Sequence, residues 1–318
     1  MPVVNLKPYK PPLHLRNGHI NTLWTYFYRK VPVLKSVRTR LDTQDGDFID
    51  LDIISAGNPK SVLLLHGLEG SSQSQYIVGM ADLFSRNGYD VIMINHRSCS
   101  GEMNKTLTMY HSGFTDDLHL VSNWLNNRYN SFSIIGFSMG GNMALKYLGD
   151  GLHRLPKNLK AAVGVSVPCD LGSSSRKITH WTNYLYDKNF LQTLIKKANI
   201  KAEQFPELIN SNDLKKIKSL VTFDEYFTGP IHGFTGAQDY YDQSNSLQYL
   251  PSLQKPALLV NSLDDPFLTP TCFPFEIAEN SKLLYFSATR YGGHVGFMMK
   301  GRKKLFVDDV VFDFVESI

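Results

Sequence analysis

The segment Gly136-Phe137-Ser138-Met139-Gly140 follows an apolar run and precedes MALKYLGD, a stretch of helix formers. A sharp turn from strand to helix brings neighbouring backbone close, leaves no room for a Cβ at either flank, and lifts the serine hydroxyl above the sheet edge. The five-residue pattern alone is short enough to arise by chance. Its position between a strand and a helix makes Ser138 a candidate nucleophile.

A serine hydroxyl attacks poorly unless a base takes its proton, and the base needs a partner that holds its tautomer and stabilises the imidazolium. Of the ten histidines, only His294 lies in a glycine-rich loop, YGGHVGF, after the last strand candidate. His66 and His96 also follow strand candidates, but both precede the serine. For the acid, PALLVNSLDDPF ends a strand on Asp264 and Asp265. The count along the strand from Pro256 favours Asp265, directly before Pro266; Asp264 is the runner-up acid and otherwise a turn or cap residue. Acyl transfer also needs donors for the negative oxygen of the tetrahedral intermediate, and two backbone N–H groups are placed to supply them. One is that of Met139, after the nucleophile; the other is that of Leu68, in the loop after SVLLLHG.

These residues need a frame. Short apolar runs ending in Gly, Asn or Asp alternate with longer helical stretches, the pattern of a mostly parallel α/β sheet flanked by helices on both faces. Strands are expected near 48–55, 62–66, 91–95, 133–136, 161–167, 257–262 and 283–287. Helices are expected at 76–87 and at 115–127, the second capped by Thr115. About 80 residues, 169–250, separate two strand candidates, far more than one crossover needs. They read as a helical cap inserted into a single domain of 318 residues. The aromatic side chains Trp181, Tyr184, Tyr186, Phe223, Tyr226 and Phe227 of that insertion are candidates to line an apolar pocket.

Composition narrows the partners. With 42% hydrophobic and 19% charged residues, the chain buries a substantial core. Its net charge of +4 comes from scattered residues, so nucleic-acid binding is not expected. The basic runs Lys215-Lys216-Ile217-Lys218 and Arg302-Lys303-Lys304 read as solvated helix faces. Three cysteines, Cys99, Cys169 and Cys272, at wide spacing fit a reducing, cytoplasmic setting. The opening MPVVNLKPYKPP carries prolines and polar residues where a signal peptide has its apolar stretch. No run of 18 apolar residues is present, so no transmembrane segment is expected, although brief contact with a membrane surface requires none. The phosphate loop, the dinucleotide fingerprint and HExxH are absent, and no ATP, NAD, zinc or other cofactor is expected.

The landmarks HGLEGSS, NHRSCSGEMN, YHSG, TDDL, GFSMGGN, VPCDL, FDEYFTGPIHGF, DYY, NSLDDPF and YGGHVGF resemble those of one α/β-hydrolase family. It holds bacterial YheT-type proteins, plant embryogenesis-associated proteins, animal ABHD1/ABHD3-type lipases and fungal medium-chain ethyl ester synthase/esterases. The likeness runs from HLRNGHINTLW to beyond His294. It implies Ser138 as nucleophile, His294 as base and one of Asp264 and Asp265 as the acid. The activity implied is hydrolysis of a small-molecule carboxylic ester, lipid-like or of short to medium acyl chain, through an acyl-enzyme. Ser98 departs from the glycine usual after the arginine of this loop. Two other readings stay open: transfer of the acyl group to an alcohol, as the fungal members imply, and a non-catalytic protein that binds a lipid or a partner.

Overall fold

The computed structural model describes residues 9–301 and 303–318; the opening residues through Pro8 and Arg302 of the second basic run lie outside them. The described residues form one sheet of β1 (Val37–Asp42), β2 (Phe48–Ile54), β3 (Lys60–Leu65), β4 (Asp90–Asn95), β5 (Ser131–Phe137), β6 (Leu159–Val165), β7 (Ala257–Ser262) and β8 (Leu284–Thr289). The spatial order is β1-β2-β4-β3-β5-β6-β7-β8. β2 runs antiparallel to β1 and β4, and the remaining neighbours are parallel.

The seven strands expected from apolar runs are present. Helices cover both faces of the inner ones, so their sequences are continuously apolar, as in Val62 to Leu65, whose exposure is 0% throughout. β1 was not expected. Its sequence, VRTRLD, alternates and is charged because it is an edge strand. Arg38 lies opposite Asp52 and Arg40 opposite Asp50, each pair joined by two hydrogen bonds of 2.8–2.9 Å. Charges on an edge also discourage pairing with another chain.

One face is covered by α2 (Gln75–Arg86) and α12 (Phe306–Ser317), which pack Ile77, Met80, Ala81, Phe84, Val307, Val311 and Val315 on the sheet. The other face takes α3 (Asp116–Asn126), α4 (Met139–Gly149) and α11 (Phe275–Asn280). Thr115 holds the position before α3, yet its hydroxyl makes no bond to that helix and turns to Asp150 at 3.5 Å. Near the start of the chain lies α1 (Gly18–Tyr28), capped by the Asn17 side chain accepting from the Ile20 N–H at 3.1 Å.

Between β6 and β7 the chain is almost wholly helical: α5 (Leu171–Ile178), α6 (Tyr184–Gln204), α7 (Ser211–Leu214), α8 (Leu220–Phe223), a π-helical turn over Asp224–Thr228, α9 (Gly229–Ile231) and α10 (Ala237–Ser244). The stretch has its own apolar cluster, with Leu191, Leu194, Ala198, Ile209, Ile217, Leu220, Phe223 and Phe227 around Met109.

Candidate active site

Ser138 sits where β5 passes into α4, with φ 52° and ψ −120°. Such a conformation costs on the order of 1–3 kcal/mol in a residue other than glycine and must be held by its surroundings. The clamp is backbone against backbone. A Cβ on Gly136 would run into the Gly140 carbonyl, and one on Gly140 would stand 2.6 Å from the carbonyl oxygens of Leu65 and His66. The Ser138 N–H donates to the Val165 carbonyl at 2.8 Å, fixing the turn against β6.

The structure brings Ser138, His294 and Asp265 together. His294 Nε2 lies 2.8 Å from Ser138 Oγ, and His294 Nδ1 lies 2.9 Å from Asp265 Oδ2. A carboxylate oxygen accepts, so Nδ1 carries the proton and Nε2 is free to accept from the serine. Asp265 is 2% exposed, and its other oxygen accepts from the Phe267 N–H at 2.8 Å. The Phe267 ring packs on the imidazole with centroids 4.3 Å apart.

Asp264 points elsewhere. Its Oδ1 accepts from the Gly293 N–H at 2.9 Å and from the Ser262 hydroxyl at 3.0 Å, tying the end of β7 to the loop that carries His294. Burial pushes its carboxyl above the usual range, against the lowering effect of the Gly293 and Ser262 hydrogen bonds. The His294 loop is further held by α1: the His294 N–H donates to Thr22 Oγ1 at 2.8 Å and the Met298 N–H to Asn21 Oδ1 at 3.3 Å. Neither Thr22 nor Asn21 was singled out from sequence, because α1 carries no apolar stripe facing inward. The HLRNGHINTLW landmark was the signal available.

Gly67 passes Ser138 so closely that a Cβ on it would stand 3.1 Å from the serine Cβ. Its N–H donates to the Tyr76 hydroxyl at 3.0 Å, and Leu68 and Met139 both line the cavity beside Ser138. The next residue, Glu69, takes φ 55°. Its carboxylate accepts from the Tyr110 hydroxyl at 2.6 Å and from Lys197 Nζ of α6 at 2.7 Å, while its own N–H donates to the Tyr110 oxygen at 3.0 Å. This buried pair, like Thr22, was not foreseen.

His66 and His96 are buried, and neither is among the residues that line the cavity beside Ser138. His66 Nδ1 donates to the Gly67 carbonyl at 2.7 Å, and its Nε2 accepts from the His96 N–H at 3.2 Å. Burial, with His96 close by, holds His66 well below the usual imidazole range, and burial pushes His96 down to about 4. Both are neutral scaffold. Ser98 has φ 63°, which explains a glycine preference at that position; its Oγ donates to Asn104 Oδ1 at 2.5 Å and steadies the loop without one.

The cavity at Ser138, about 100 Å³, is lined by Leu68, Met109, Leu194, Phe223, Phe227 and Phe267 among others. Of the six aromatic candidates only Phe223 and Phe227 reach it. Tyr186 packs edge-on against Phe267 at 4.8 Å, whereas Trp181 and Tyr184 are 79% and 58% exposed. Asp224, half-buried at the π-helical turn, also borders the cavity; its Oδ2 accepts from the Tyr241 hydroxyl at 2.8 Å, and desolvation pushes its carboxyl up to about 7.

A mostly parallel eight-stranded sheet with a strained serine at the turn after a central strand is the architecture of an α/β hydrolase. The chain belongs to that family: the model described as alpha/beta hydrolase fold matches residues 60–272. Within it, the chain is 32% identical to YheT of Escherichia coli (strain K12) over 290 residues, 89% of this chain and 84% of that one. It is 30% identical to phospholipase ABHD3 of Homo sapiens over 331 aligned positions, 100% of this chain and 80% of that one. The Pyrococcus furiosus esterase Pf2001 superposes with a TM-score of 0.60 at 16% identity, covering 98% of each chain, a likeness of fold. The chain is a hydrolase. No described helix is long and apolar enough to cross a membrane.

Proposed function

We propose that this hydrolase cleaves small carboxylic esters through an acyl-enzyme on Ser138. The observation that carries the reading is the unbroken run from Ser138 Oγ to His294 Nε2 at 2.8 Å and from His294 Nδ1 to Asp265 Oδ2 at 2.9 Å, on a strained turn beside an apolar cavity.

His294 takes the serine proton as Oγ attacks the ester carbonyl, and Asp265 stabilises the imidazolium that results. The tetrahedral oxygen is held by the N–H groups of Leu68 and Met139, each worth about 3 kcal/mol to the transition state. His294 then protonates the leaving alcohol, and in the second half it activates the water that releases the acid. Leu194, Phe223 and Phe227 favour an apolar acyl group of short to medium length, with residues 169–250 acting as a cap over it. The free thiols of Cys99, Cys169 and Cys272 accord with a reducing, cytoplasmic setting.

The test pairs the wild type with Ser138→Ala, treats each with a fluorophosphonate probe, and assays p-nitrophenyl esters of increasing chain length. Labelling and turnover are expected in the wild type alone, with an optimum at a short or medium chain. A folded wild type that neither labels nor turns over would overturn the reading.

A further inference from the structure

Helix α1 is inside out. Its buried residues are Gly18, Asn21 and Thr25, all small or polar, while Ile20, Leu23, Tyr26 and Phe27 are 47%, 40%, 66% and 67% exposed. Ile20, Leu23 and Phe27 recur at three- and four-residue spacing, so they form one stripe along the outer face. An ordinary surface helix has the opposite arrangement. Scattered exposed apolar residues need no explanation, but a stripe aimed at solvent does.

The stripe does not stand alone. The α1 residue His19 stacks on Tyr186 at 5.8 Å, which joins α1 to the start of α6, where Trp181, Tyr184 and Leu185 are 79%, 58% and 75% exposed. Both elements are anchored on the loop that holds Asp265. Gly18 packs on the Asp264 carbonyl, and Asn183 Nδ2 donates to the Pro266 carbonyl at 2.9 Å. Leu263, at the start of the same loop, is 55% exposed.

The exposed charged residues that flank these two elements along the chain are basic. No Asp or Glu occurs from Tyr9 to Lys30, where Lys10, Arg16 and Lys30 are exposed. In residues 171–202 the sole acid is Asp187, which is buried, while Arg176 and Lys188 are exposed. Exposed aromatic and aliphatic side chains flanked by exposed cations match the boundary between the headgroups and acyl chains of an anionic membrane.

We infer that α1 and the Trp181–Leu185 turn form a docking surface for an anionic lipid bilayer, which seats the rim of the site on the membrane. The inference stands apart from the ester-cleavage reading, because binding is measured without turnover. The experiment is co-sedimentation of the full chain, carrying Ser138→Ala so that no lipid is consumed, with vesicles of phosphatidylcholine alone or mixed equally with phosphatidylglycerol. Tighter binding to the mixed vesicles, by about tenfold, is expected and should weaken with added salt. Phe27→Ser with Trp181→Ser should lower it by a further factor of about ten, and Lys30→Glu with Lys188→Glu should remove the preference for anionic lipid. In chains that keep Ser138, both pairs should leave turnover of a soluble ester within about twofold, since neither alters a residue lining the cavity. Absence of vesicle binding, or binding unchanged in the variants, overturns the inference. So does a wild-type dimer in solution that Phe27→Ser with Trp181→Ser disperses, which would assign the surface to a second copy of the chain.

Discussion

The carbonyl oxygen of Asp264 lies directly against Gly18, with no room for a Cβ at residue 18. The loop that bears Asp265 is therefore held from outside by α1, and the same helix holds the His294 loop through Thr22. Gly18→Ala should push α1 off both loops. Turnover of a soluble ester is expected to fall by about tenfold, or about 1.4 kcal/mol of transition-state stabilisation, along with a lowered Tm. Unchanged kcat with a lowered Tm would show that α1 stabilises the fold without positioning the site.

The two adjacent acids have different partners, and the proposed mechanism gives them different roles. Asp265→Asn should lower kcat by about 10⁴-fold, because an amide neither fixes the imidazole tautomer nor stabilises its charged form. Asp264→Asn retains an oxygen that accepts from Gly293 and should cost less than about tenfold. Steady-state kinetics on the two variants decides the matter, and the reverse order would reassign the acid.

Glu69 and Lys197 join the loop beside Ser138 to α6, with side chains 7% and 17% exposed. Lys197→Met strands a buried carboxylate and is expected to cost about 3 kcal/mol, read from denaturant unfolding. Adding Glu69→Gln should restore most of that loss, since the remaining amide still accepts from Tyr110. A double variant as unstable as the single one would show that the ion pair is not the source of the effect.

Asp224 gives a signed pH dependence. An aspartate in the unfolded chain ionises near pH 4, about the reference value, whereas desolvation keeps Asp224 protonated in the folded chain up to about 7. Across that window the folded state binds more protons, so this group's contribution to stability falls as pH rises from about 4 to about 7 and then levels off. Asp224→Asn should remove that slope while leaving an oxygen for the Tyr241 hydroxyl. Parallel Tm curves against pH for wild type and variant would contradict the assignment.

The glycine turn, the aspartate pair and the His294 loop were legible because each is fixed by local chain geometry: close backbone approach at Gly136 and Gly140, and a turn at Pro266. The inner strands were legible because burial on both faces makes them apolar throughout. The edge strand β1 hid behind its Arg–Asp ladder, and α1 hid because its apolar residues face outward. In the β6–β7 connection the aromatic residues reveal composition but not direction: Phe223 and Phe227 turn into the cavity while Trp181 and Tyr184 turn away. Only the packing of the helices decides that. The Glu69–Lys197 pair spans 128 positions, beyond any local pattern.

An acyl group carried on Ser138 is detectable by rapid-quench mass spectrometry of the intact chain with a p-nitrophenyl ester. A burst of p-nitrophenol approaching one per chain is expected when deacylation is the slower step. The peptide containing Ser138 should carry the mass of one acyl group, and Ser138→Ala should give neither signal. Turnover at comparable rate in Ser138→Ala, or an acyl group on another residue, would contradict the acyl-enzyme on Ser138.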